Sequence, residues 1–217
     1  MKLSARVASS LLIGWTCCTA GTPLRIDVGE FSKGLMAGWQ TKAFKGRTDY
    51  RLVGLEGRTV LKAVSEAQAS GLYRELSVDL NRTPFLSWSW RIDKSLGALN
   101  EKAKGGDDYP ARVYVVVSGG VAFWRTRSVN YVWASSMPQG QRWPNAYAGE
   151  AVQMLALRSG DRDAGIWVQE KRNVREDLKN FFGEVIDRID AVALMSDTDN
   201  SGCRAVAYYG DIYFSDH

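Results

Sequence analysis

Ile189-Asp-Ala-Val-Ala-Leu-Met195, then Asp197-Thr-Asp-Asn-Ser-Gly202, then Ala205-Val-Ala-Tyr-Tyr209: two apolar runs flank one acidic turn. The runs have strand composition. The segment between them is made of the residues that cap their own backbone or accept positive φ. The direct reading is a β-hairpin that closes the chain and ends on Asp211-Ile-Tyr-Phe214. A second reading is half of a calcium loop. Asp197, Asp199, Ser201 and Gly202 match the opening half of an EF-hand loop, but the place of its bidentate glutamate falls on Tyr208 and the flanks are strands. An EF-hand is therefore excluded. A non-helical calcium turn at Asp197 and Asp199, completed by another carboxylate, stays open beside the hairpin.

Working outward, short β runs recur between Gly, Asn, Asp and Pro. Arg58–Val64 is one. Phe85-Leu-Ser-Trp-Ser-Trp-Arg-Ile92 alternates, placing Leu86, Trp88, Trp90 and Ile92 on one face. Ala111–Val117 is nearly apolar throughout, as a central strand covered on both sides would be. Val129–Ala134 and Gly165–Glu170 follow. Helix is scarce. Val174–Phe182 has helical composition, Asn173 as N-cap and Gly183 as its stop, and a second short helix is expected at Leu96–Lys104. The fold expected is mainly β, a two-sheet β-sandwich with one or two short helices.

The first twenty residues read as a signal peptide. Lys2 and Arg6 precede an apolar run, Val7–Trp15, and Cys18-Thr-Ala20 offers a small-x-small cleavage site after Ala20. The run falls well short of the roughly 20 residues a membrane span needs. Cys17-Cys18 raise a lipid anchor as the lesser alternative. The chain is thus expected to be exported, periplasmic or secreted, with residues 21–217 as a single β-sandwich domain. The 28 basic and 24 acidic residues give a formal charge of +4, and removing the signal takes away two cations and no acid. So mild a charge, without a Lys/Arg block, argues against nucleic acid as a partner. Of three cysteines only Cys203 would remain, so no internal disulfide is expected.

The chain resembles the bacterial domain-of-unknown-function family numbered 3047. The resemblance is carried by Arg47-Thr-Asp-Tyr-Arg51, Trp88-Ser-Trp-Arg-Ile-Asp93, Gly106-Asp-Asp-Tyr-Pro-Ala-Arg-Val-Tyr-Val-Val116, Tyr131-Val-Trp133, Trp143-Pro-Asn145, Glu170-Lys-Arg-Asn-Val174 and Ala191–Phe214. It implies no activity. The chain ends also resemble jelly-roll, galactose-binding-like modules, through Glu30-Phe31, Gly38-Trp39 and Asp211-Ile-Tyr-Phe214. That likeness implies first and last strands side by side, with a structural calcium held there by Glu30 and Asp211.

Three sets of residues are candidates for function. Gly105-Gly-Asp-Asp-Tyr-Pro-Ala-Arg112 leads into a central strand, and Asp107, Asp108 and Arg112 could meet Arg91, Asp93, Glu170 or Arg172 to hold a polar ligand; salt bridges ordering a sheet edge are the alternative. Trp143-Pro-Asn-Ala-Tyr147 reads as a loop. There Trp143 either stacks on a sugar face with Asn145 on a hydroxyl, or plugs the end of the sandwich. The acidic turn and the terminal pair Glu30 and Asp211 are the possible calcium positions. The one histidine is His217, so a Ser-His-Asp or Cys-His apparatus lacks its base and a His/Cys zinc site its ligands. Carboxylate chemistry on a glycan survives as an enzymatic alternative. An envelope structural or assembly role is another. The leading expectation is a non-catalytic module for a polar, carbohydrate-like ligand.

Overall fold

A computed structural model of the chain describes residues 23–122 and 125–217. The signal-peptide reading of residues 1–20 lies outside them. Among the described residues, thirteen strands form two facing sheets, with one α-helix beside them. The first sheet runs β11(Val168–Asn173)–β6(Phe85–Ile92)–β13(Arg204–Ser215)–β4(Arg58–Glu66)–β3(Asp49–Leu55), with β1(Arg25–Gly29) also on β13. The second runs β2(Trp39–Lys45)–β5(Ala69–Asp79)–β12(Arg188–Asp197)–β7(Tyr109–Val117)–β8(Arg127–Ala134)–β10(Gly149–Ser159)–β9(Arg142–Asn145). Pairing is antiparallel except between β8 and β10. The fold is the expected two-sheet β-sandwich. No helix among the described residues is long and apolar enough to cross a membrane.

The alternation read in Phe85–Ile92 sets the core. Leu86, Trp88, Trp90 and Ile92 point between the sheets and are buried. Trp88 meets Trp90 edge-on at 5.5 Å and Tyr131 of the facing sheet at 5.4 Å, while Trp90 reaches Trp133 at 5.8 Å. Tilted and edge-on rings at these spacings add to the stability gained from area burial alone. The helix forms where expected, α1(Val174–Phe182): the Asn173 side chain accepts from Glu176 N, and Gly183 ends it in the left-handed region at φ 74°.

Three expectations need correction. The acidic turn is not a hairpin, because β12 and β13 lie in different sheets. β12 pairs with β5 and β7, and β13 with β4, β6 and β1. Turn residues that close a hairpin equally well close a corner between sheets. No helix forms at Leu96–Lys104; a single 3-10 turn, Lys104–Gly106, follows it. Backbone amides at its start go to neighbouring loops instead: Leu96 N donates to Ser135 Oγ and Leu99 N to Ser136 Oγ, and just before it Ser95 N donates to Asp161 Oδ1. The buried Glu101 carboxylate binds the same loop in return, accepting from the amides of Ser135, Ser136 and Met137 at 2.6–3.1 Å. Finally, the strand expected from Gly165 starts at Val168, since Gly165 has φ 79°.

Candidate functional site

The corner between β12 and β13 stands beside the entry to β7, and this brings the two acidic segments of the sequence together. β12 pairs with β7 so that Asp197 lies opposite Tyr109 and Met195 opposite Arg112. Arg112 is 3% exposed, Asp107 5%, Asp108 0% and Asp197 2%, so four charges share one dry corner. The Arg112 guanidinium forks onto Asp197: Nε donates to Oδ1 at 2.8 Å and Nη2 to Oδ2. Nη2 also donates to the Asp107 carbonyl at 2.7 Å. The guanidinium carbon lies 4.2 Å from the Tyr109 ring centroid, and Tyr109 stacks on Trp143. Burial pushes the Asp197 carboxyl up to about 7, against the opposing pull of Arg112, while Asp197 and Asp107 help hold the Arg112 charge in place.

Asp108 turns to the corner itself. It accepts from Asn200 N and Nδ2 at 3.3 and 3.1 Å and from Ser201 N at 2.5 Å. Oxygens of Asp108, Asp197 and Asp199 come within 4.8 Å of one another, a spacing a divalent cation could bridge. The donor set does not suit one. Asp197 has both oxygens on Arg112, Asp108 has both on the turn, and the guanidinium supplies the positive charge a cation would bring. At the chain ends, β1 lies on β13 as expected. Asp211 there accepts from Ser32 N at 2.8 Å and Ser32 Oγ at 2.5 Å, and Glu30 from Lys33 Nζ at 2.5 Å. A calcium ion would have to displace these donors.

Above the Arg112 corner, the outer face of the seven-stranded sheet opens into a cavity of about 530 Å³. Asp107, Arg112, Asp197 and Asp199 form one end, and Ala69, Tyr114, Asn130, Val152 and Met195 the floor. Phe44 and Tyr147 also line it, each more than half exposed. Two polar groups of the floor are poorly satisfied. Tyr114 O–H donates to Met195 Sδ, and Asn130 Nδ2 to Met154 Sδ, both at 3.3 Å. Thioether sulfur is a weak acceptor, so both donors can turn to a better one. At the charged end, Arg112 Nη1 and Asp107 Oδ1 stand 3.8 Å apart. That is too far for a hydrogen bond, yet one hydroxyl oxygen about 2.8 Å from each fits between them.

Asp107, Arg112, Asn145, Asp197 and Asp199 therefore meet in one cavity, with Asp108 behind them. Asn145 orients Asp107 and has little to offer a ligand. Its Nδ2 donates to both Asp107 oxygens at 3.1 and 2.9 Å, and its Oδ1 accepts from Tyr147 N and Ala148 N. Trp143 is no exposed platform. It lies on β9, an edge strand that tolerates Pro144, and packs with Tyr109, Met154 and Ala156 over the sheet. Glu170 and Arg172 belong to the other sheet. Glu170 accepts from Arg158 Nε and Trp90 Nε1, and Arg172 forks onto Asp177 to tie α1 to β11. Alternation turns both toward the core edge, away from Asp107. Sequence reasoning missed Tyr147, Tyr114, Asn130 and Phe44. Tyr147 was within reach, as the second ring of the Trp143–Tyr147 segment.

No curated protein matches the chain. Among solved structures it is similar to the family 11 carbohydrate-binding module of the cellulosomal cellulase Lic26A-Cel5E of Clostridium thermocellum, at 9% identity and TM-score 0.46, covering 89% of this chain and 94% of that one. It is also similar to the family 30 carbohydrate-binding module of the cellulosomal cellulase Cel9D-Cel44B of the same organism, at 10% identity and TM-score 0.48, covering 88% and 96%. Residues 37–213 match the family described as Protein of unknown function (DUF3047), and the chain belongs to that family.

Proposed function

We propose that this protein is an exported, non-catalytic module that binds a hydroxylated, carbohydrate-like ligand in the cavity over β12, β7 and β8. The observation that carries this is the pair of floor donors, Tyr114 O–H and Asn130 N–H, engaged only by thioethers inside a cavity with apolar walls. A sugar offers what both parts lack. Its hydroxyls accept from Tyr114 and Asn130 and bridge Arg112 to Asp107, while a C–H face lies on Tyr147 or Phe44. Pockets that join an apolar surface to a few placed polar groups are the usual form of small-ligand sites. Binding fits better than hydrolysis because Asp197, the carboxyl pushed toward neutrality, is clasped by Arg112. A glycan array followed by calorimetry on wild type and Tyr114→Phe tests the reading. A hit weakened about tenfold by loss of one hydroxyl supports it. An array without hits, or a Tyr114→Phe protein that binds like wild type, refutes it.

A further inference from the structure

The opposite face of the molecule carries a second, unrelated groove. Along β6, Leu86, Trp88 and Trp90 point inward, so Ser87 and Ser89 point out. Register sets Ser87 between Lys171 of β11 and Tyr213 of β13, and Ser89 opposite Gln169. Short side chains on the middle strand with long ones on either side leave a trough of about 510 Å³, which Arg58 and Thr59 of β4 also line.

Ser87 is 8% exposed, and no protein group binds its hydroxyl among the described residues; the oxygen opens on the groove. Gly210 lines the same trough, at the bulge of β13 between Tyr209 and Ile212. Its φ is not positive, so conformation does not require glycine there. A Cβ would stand 2.2 Å from Ser89 Oγ, so an alanine there would swing that hydroxyl to another rotamer.

Charge indicates what enters. The Arg58 guanidinium lies 3.8 Å from the Trp167 ring centroid and the Lys171 ammonium 4.8 Å from that of Phe85. Neither has a carboxylate within salt-bridge distance among the described residues. Of the two acidic residues along the groove, Asp211 is engaged by Ser32, and Glu170 turns its carboxylate to the core edge, onto Arg158 and Trp90. What remains is a set of hydroxyl donors with two uncompensated cations. We propose that this groove is a second ligand site that takes an oxyanion, the carboxylate or phosphate ester of a small ligand or glycan end. The Ser87 and Ser89 hydroxyls donate to its oxygens, and Lys171 and Arg58 supply the opposing charge.

Titration of the ¹⁵N-labelled protein with glucuronate, glycerol phosphate and, as neutral control, glucose tests this. One of the anions is expected to displace the amide signals of Ser87, Ser89 and Lys171. Which of the two does so tells carboxylate from phosphate. Lys171→Gln and Ser87→Ala should each weaken that response about tenfold, and Gly210→Ala, which turns the Ser89 hydroxyl away, should weaken it as well while the remaining spectrum stays folded. If neither anion moves these signals, or if Lys171→Gln and Ser87→Ala respond like wild type, the site does not exist. An equal response to glucose would overturn its anionic character.

Discussion

Arg112 is almost wholly buried, with Asp197 forked onto it and Asp107 at its side. Removing one partner of such a pair leaves the other buried and uncompensated, which costs about 3–5 kcal/mol. Arg112→Met is therefore expected to lower unfolding stability by that amount in urea denaturation. Asp197 adds a pH dependence. Its carboxyl sits near 7 in the fold against an ordinary 3.8, so the folded state binds the proton more tightly than the unfolded chain. The Asp197 contribution is then greatest below about pH 4 and is lost as pH rises to about 7. The stability difference between wild type and Asp197→Asn should shrink over that interval and level off above it, as urea titrations at several pH values would show. Both acidic segments were legible in the sequence, but their meeting was not: Asp107 and Asp197 are 90 residues apart, and only the pairing of β7 with β12 brings them together.

Local signals were most reliable where one element satisfies its own backbone. The Asn173 cap and the Gly183 stop are both within or next to α1, so the sequence could announce them. Asn173→Ala should cost about 1 kcal/mol of unfolding free energy and leave ligand binding unchanged, because α1 packs against β11 and lies apart from the cavity. The signals failed where long-range partners decide. Leu96–Lys104 has helix-forming residues, but its Leu96 and Leu99 amides go to Ser135 and Ser136. The turn at Asp197–Gly202 has hairpin chemistry, but the strands on its two sides pair with other neighbours. Since Arg112 takes the cation's place there, the melting temperature should be the same with added calcium and with chelator. A rise of several degrees with calcium, absent in Asp199→Asn, would show that the corner does hold an ion.

At the scale of the molecule, the recurring short strands were enough to foresee a sandwich, and the alternation in Phe85–Ile92 to place Trp88 and Trp90 in its core. It could not say which sheet face would stay open. That depends on which rings fold down over the outer surface. Trp143 does, covering Tyr109 and Met154, whereas Tyr147 stays out at the cavity rim. The two therefore separate stability from binding: Trp143→Ala should lower stability by about 3–5 kcal/mol, and Tyr147→Ala should leave the melting temperature unchanged. The most direct test of the account is a residue-resolved NMR titration with the glycan selected by array. It predicts shifts at Asp107, Tyr114, Asn130, Tyr147 and Asp199, strongly reduced in Tyr147→Ala. Shifts confined to other surfaces, or undiminished in Tyr147→Ala, would contradict it.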